Sequence, residues 1–170
     1  MAAGDTKIEY AASSNLAITL ASLASDTSLL AGRESDAVDN TANKYVDYLL
    51  SGKITTGTSP TTARVIEVWV VGLLDDSTYP DVFDGTDSAE TITNAGIKNS
   101  ICRLAASIDT VNTSDLGYPF GPVSVASLFG GRLPKKFVVF VTHSTGVALN
   151  STGGNQQITI TPVYYTTAQS

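Results

Sequence analysis

"RLPKKFVVFVTHSTGVAL", residues 132–149, decides the fold. It joins the longest apolar run of the chain to its only histidine, His143. From Phe137 to Val141 every residue is β-branched or aromatic, which is the composition of a strand covered on both faces. The hydroxyl- and glycine-rich residues His143 to Gly146 read as the turn in which that strand reaches the surface. His143 is expected to be a hydrogen-bonding residue of this turn.

Outward from this strand the pattern repeats. "ARVIEVWVVG", residues 63–72, sets Ile66, Val68 and Val70 on one face and Val65, Glu67, Trp69 and Val71 on the other, and ends at Gly72. Glu67 implies that the second face is only partly buried. "NLAITL", residues 15–20, places Leu16, Ile18 and Leu20 on one face of an expected strand. "QQITITPVYYTT", residues 156–167, points Ile158 and Ile160 the same way. Pro162 cannot donate to a ladder, which predicts an edge strand or a bulge there. "KNSICRLAASID", residues 98–109, reads as a strand with Ile101, Arg103 and Ala105 opposite Cys102, Leu104 and Ile108, with helix as the alternative because Ala and Leu favour it. "DNTANKYVDYLLSG", residues 39–52, satisfies both periods; strand is preferred over a helix capped by Asn40 or Thr41.

Short apolar segments separated by turn residues at this spacing specify an all-β chain, a β-sandwich or barrel. With 170 residues it is expected to form one domain, since a chain of about 150 residues already buries about 70% of its unfolded surface. The first residues, 1–5, read as a short flexible arm. No run approaches the roughly 18 apolar residues of a membrane span, and "MAAGDTKIEYAASS" has no basic stretch leading into an apolar one, so neither membrane nor export is expected.

The formal net charge of −6 argues against direct nucleic-acid binding, which requires a clustered basic face. The charge is also segregated. Between Arg64 and Lys98 lie seven acids (Glu67, Asp75, Asp76, Asp81, Asp84, Asp87 and Glu90) and no base; from Leu116 onward there are three bases, Arg132, Lys135 and Lys136, and no acid. The expected interaction residues are therefore Asp81, Asp84 and Asp87 against Arg132, Lys135 and Lys136, meeting between subunits, with the two segments lying beside each other within one subunit or merely facing water as the alternatives.

Catalytic chemistry finds little to work with. Thr142-His143-Ser144-Thr145-Gly146 lacks the first glycine of a nucleophile elbow, and a triad needs a histidine apart from the elbow. One Cys and one His cannot complete a tetrahedral zinc site. Asp81, Asp84 and Asp87 recur every third residue, whereas an EF-hand alternates its ligands, so a solvated acidic loop is preferred to a looser calcium site. Tyr118, Tyr164, Tyr165 and Trp69 are candidates for a sugar-stacking platform, with core packing as the alternative. Cys102, alone, reads as a small buried hydrophobe. No enzyme activity and no cofactor is expected.

Four strings carry a resemblance: "KYVDYLLSGKITTGTSPTTARVIEVWVVG" (44–72), "YPDVFDGTDSAE" (79–90), "SVASLFGGRLPKKFVVFVTHSTGVAL" (124–149) and "TPVYYT" (161–166). They resemble small virion structural proteins of tailed bacteriophages, over roughly Ile8 to Thr166. The resemblance implies a β-sandwich of jelly-roll type acting as a capsid decoration or cement protein. It implies a virion location after synthesis in the bacterial cytoplasm. Its partners would be further copies of itself (a homo-oligomer) and the major capsid protein or other virion proteins. A head–tail junction or tail component, and a carbohydrate- or receptor-binding module, are the alternative readings.

Overall fold

The computed structural model describes residues 5–167, so the expected arm over residues 1–5 lies, but for Asp5, outside the described residues. The chain is mostly β. Its strands are β1 (Thr6–Tyr10), β2 (Ser14–Asn15), β3 (Ala31–Glu34), β4 (Val38–Asp39), β5 (Asp47–Thr55), β6 (Arg64–Gly72), β7 (Ala89–Thr91), β8 (Cys102–Thr110), β9 (Gly117–Ser124), β10 (Lys136–His143) and β11 (Gln157–Thr167). Two short helices, α1 (Ala95–Ile101) and α2 (Val125–Leu128), and a 3-10 turn at Gly153–Asn155 complete it.

All pairings are antiparallel and form two sheets. The first runs β1-β11-β5-β9, with β2 also on β11; the second runs β7-β3-β10-β6-β8, with β4 also on β10. Four pairs, β1 with β11, β3 with β10, β5 with β9 and β6 with β8, are laid side by side through β11–β5 in one sheet and β10–β6 in the other. That is the wiring of a jelly roll, in which one long antiparallel ribbon is rolled into two layers.

The alternation in β6 and β10 builds two cores. Ile66, Val68, Val70, Phe137, Val139 and Val141 face the space between the sheets, where Tyr48, Leu50, Ile54, Ile158 and Ile160 meet them. Trp69, Val71, Val138 and Phe140 face the other way and pack under Phe83, Ile92 and Cys102. The acidic segment and α1 thus form a lid over the second sheet, and β10 is covered on both faces as its composition demands.

Several expectations are revised. His143 is the last residue of β10 and fully buried, so the strand does not surface at His143. Leu16, Ile18 and Leu20 do turn inward, but only Ser14 and Asn15 are paired: Leu16 N–H donates to Ile158 O and Thr19 N–H to the Asp87 carboxylate as the chain crosses between sheets. Residues 98–101 are helix and residues 102–109 are strand. Asn94 caps α1 by accepting from Ile97 N–H, and the strand begins at Cys102. A bulge opposite Val68 and Trp69 then reverses the side-chain phase of β8, so Leu104 pairs with Trp69 while Ile108 pairs with Ile66 on the inner face. Ile108 does not share a face with Cys102 and Leu104.

Pro162 is not on an edge strand, because β11 has neighbours on both sides, but it does lie at a bulge: between the Tyr10–Val163 and Ser14–Ile160 pairs the neighbouring segment carries one extra residue. Its carbonyl accepts from Ala11 N–H, so the missing N–H faces the interruption between β1 and β2, where no ladder bond is lost.

Candidate interaction surface

The acids singled out by charge pattern are organisers of their own loop. Asp81 accepts from Thr93 N–H (3.0 Å) and Thr93 Oγ1 (2.6 Å). Asp84 closes a turn by accepting from Thr86 N–H. Asp87 binds Arg33 Nε at 2.6 Å and Thr19 through both N–H and Oγ1; burial would raise its pKa, but the Arg33 and Thr19 bonds prevail and lower it. Among the described residues no three His, Cys, Asp or Glu side chains are grouped to hold a metal ion.

The bases divide. Lys135 pairs with Asp76 of the same chain, both largely exposed, and Lys136 pairs with Asp39 at 2.9 Å. The Lys136 ammonium, with hydrogen bonds from Thr41, holds Asp39 well below the usual carboxylate range. Arg132 is exposed and has no ion-pair partner among the described residues. The structure therefore joins Lys135 to the acidic segment within one subunit, through Asp76 and not through Asp81, Asp84 or Asp87.

Arg132 and Lys135 border two adjoining shallow grooves of about 530 and 570 Å³ that share Tyr45 and Leu133. The first continues onto Ile8, Val46 and Tyr165, and Tyr10 lies on the same strand as Ile8. Ile8, Tyr10 and Tyr165 are 55%, 62% and 58% exposed, the most open apolar grouping near any of the predicted residues. Composition had not singled it out. Part of the signal was present in "KIEY", residues 7–10, where charged and apolar residues alternate over four positions.

The buried polar groups act inward. Lys98 Nζ lies 2.6 Å from Glu67 Oε2, 2.7 Å from Leu29 O and 4.7 Å from the centre of the Trp69 ring, while Trp69 Nε1–H donates to the same Glu67 oxygen. Glu34 is fully buried under the lid, where it accepts from Gly85 N–H (2.7 Å) and Asp84 N–H; burial outweighs these bonds and raises its pKa to about 7. His143 Nε2–H donates to Leu23 O (3.0 Å) and Nδ1 lies 2.9 Å from Thr145 Oγ1. Burial lowers the His143 pKa and favours the neutral ring. Ser144 Oγ accepts from Val65 N–H. Burial pushes the Cys102 thiol up to about 12, which leaves it unreactive.

The proposed stacking aromatics do not converge. Trp69 is covered by Lys98 on the second sheet; Tyr118 Oη is bound at Val111; Tyr164 leans on Tyr45 and donates to Glu9. Only Tyr165 offers its ring to solvent. Comparisons of the chain with protein-family models, with curated proteins and with solved structures found no match.

Proposed function

We propose that this chain is a non-enzymatic virion structural protein of a tailed bacteriophage, which binds the capsid exterior as a decoration or cement protein and works through contact area. The observation that supports this most directly is the disposition of its polar groups. His143, Ser144, Glu67, Lys98 and Glu34 are committed to internal bonds, while the apolar and basic grooves around Tyr45, Leu133 and Arg132 face outward. A reagent must reach its substrate; a cement must offer complementary surface. The jelly roll, a scaffold shared by capsid proteins and lectins, is compatible with the role without specifying it. Many copies on one lattice would turn modest individual contacts into firm attachment.

The test is the protein content of purified virions of the phage that encodes the chain. Capsid decoration requires many copies per head, released by mild denaturant before the shell dissociates. A few copies per particle would place it at the head–tail junction or tail, and absence from the particle would overturn the proposal.

A further inference from the structure

We propose that two copies of this chain join β1 to β1 across a twofold axis at Ile8, making one continuous sheet from the two β1-containing sheets. This concerns the self-association expected of a virion module and rests on that part of the reading; attachment to a capsid is a separate matter. Among the described residues β1 has a neighbour on one side only, β11. Its free edge is therefore open to a further strand.

The hydrogen-bond pattern sets the register. Antiparallel pairs alternate between bonded and non-bonded residues. Ala11 N–H donates to Pro162 O, and Val163 O points away from β1 to accept from Val46 N–H. Tyr10, opposite Val163, is thus in a non-bonded pair, as are Ile8 opposite Tyr165 and Thr6 opposite Thr167. The N–H and C=O of Thr6, Ile8 and Tyr10 accordingly face the free edge. An axis at Ile8 uses all three: Ile8 exchanges both bonds with its own copy, and Thr6 does so with Tyr10 of the other chain.

The side chains agree with that register. Thr-Lys-Ile-Glu-Tyr read against itself sets Lys7 opposite Glu9 twice, in the non-bonded pairs where side chains approach most closely. The Lys7–Glu9 pair within each chain would then extend to a ring of four alternating charges. Ile8 meets Ile8, and the exposed Tyr10 and Tyr165 rings flank them on the same face. Charged residues on a free edge ordinarily repel stray strands; here they reject other sequences and match their own.

The experiment is cysteine cross-linking of the full chain in solution, without particles, under oxidising conditions. Bonded antiparallel pairs lie about 5.5 Å apart between Cα atoms, within disulfide range. Cys102 is buried and does not compete. Ile8→Cys is expected to give covalent dimer, Thr6→Cys and Tyr10→Cys alone to give none, and an equimolar mixture of those two to give heterodimer. In sedimentation, Ile8→Pro, which removes an N–H unused by β11, is expected to abolish the dimer with unchanged circular dichroism. Lys7→Glu is expected to weaken it, and Lys7→Glu with Glu9→Lys to restore it. A chain monomeric at the highest soluble concentration, or a dimer indifferent to Ile8→Pro, overturns the proposal whatever is found on virions.

Discussion

Lys98 Nζ stands 2.6 Å from Glu67 Oε2, and the two side chains are only 7% and 16% exposed. This ion pair ties α1 to the outward face of β6 and explains why a glutamate occupies an otherwise apolar strand. Removing one partner leaves the other charge buried and unpaired. Lys98→Met is expected to lower unfolding free energy by about 3 kcal/mol, and Lys98→Met with Glu67→Leu by much less than the sum of the single changes. Urea denaturation of the three variants measures this.

Glu34 carries a pH dependence opposite in sign to that of Asp26, Asp39, Asp75 and Asp87, whose carboxyls are held below their ordinary range. Its folded pKa, about 7, lies above the ordinary value of 4.5. The protonated form therefore favours folding: the contribution is fully present below about pH 4.5 and is lost as pH rises through 7. Glu34→Gln keeps an acceptor for Gly85 N–H and removes the titration. Relative to wild type, its melting temperature is expected to gain progressively between pH 5 and pH 8. A constant difference across that range would show that Glu34 does not titrate there.

Gly32 lies where β3 crosses β10 closely. A Cβ there would sit 2.3 Å from Val141 O and 2.6 Å from the Phe140 ring. Gly32→Ala is expected to cost about 2 kcal/mol or more, whereas Gly153→Ala, which meets nothing, should stay within about 0.5 kcal/mol of wild type. Thermal unfolding of the two variants distinguishes local fit from a general glycine effect.

Lys135 and Asp76 are paired but solvent-exposed, so Lys135→Ala is expected to leave the unfolding midpoint unchanged. Arg132→Glu with Lys135→Glu reverses the basic margin of the grooves. Under the proposed function this lowers occupancy on particles in a salt-sensitive manner, measured by co-sedimentation with heads lacking the protein.

The strands were legible wherever period and composition agreed. β6 and β10 announce both of their faces because each turns apolar residues into two separate cores. The departures have specific causes. The bulge in β8 is a register event produced by its pairing with β6, and no period within residues 102–110 encodes it. Pro162 is tolerated because of a gap in a neighbouring segment some 150 residues away in sequence. His143 looked like a turn residue because its neighbours are hydroxyls, yet Leu23 O and Thr145 Oγ1 satisfy it inside. The charge pattern correctly marked two segments of opposite sign, but pairing went to Asp76 and Asp39, while Asp81, Asp84 and Asp87 serve their own turns or Arg33. The open apolar group at Ile8, Tyr10 and Tyr165 is assembled from both ends of the sequence, so the alternation in residues 7–10 shows its β1 half and only the pairing with β11 adds Tyr165.

Thr6 and Thr167 are opposite one another at one end of the β1–β11 ladder. Tension applied through these two points would peel that ladder open one rung after another, in the manner of a zipper, instead of shearing every rung at once. The β1–β11 ladder is thus the element that yields first when load is applied at Thr6 and Thr167.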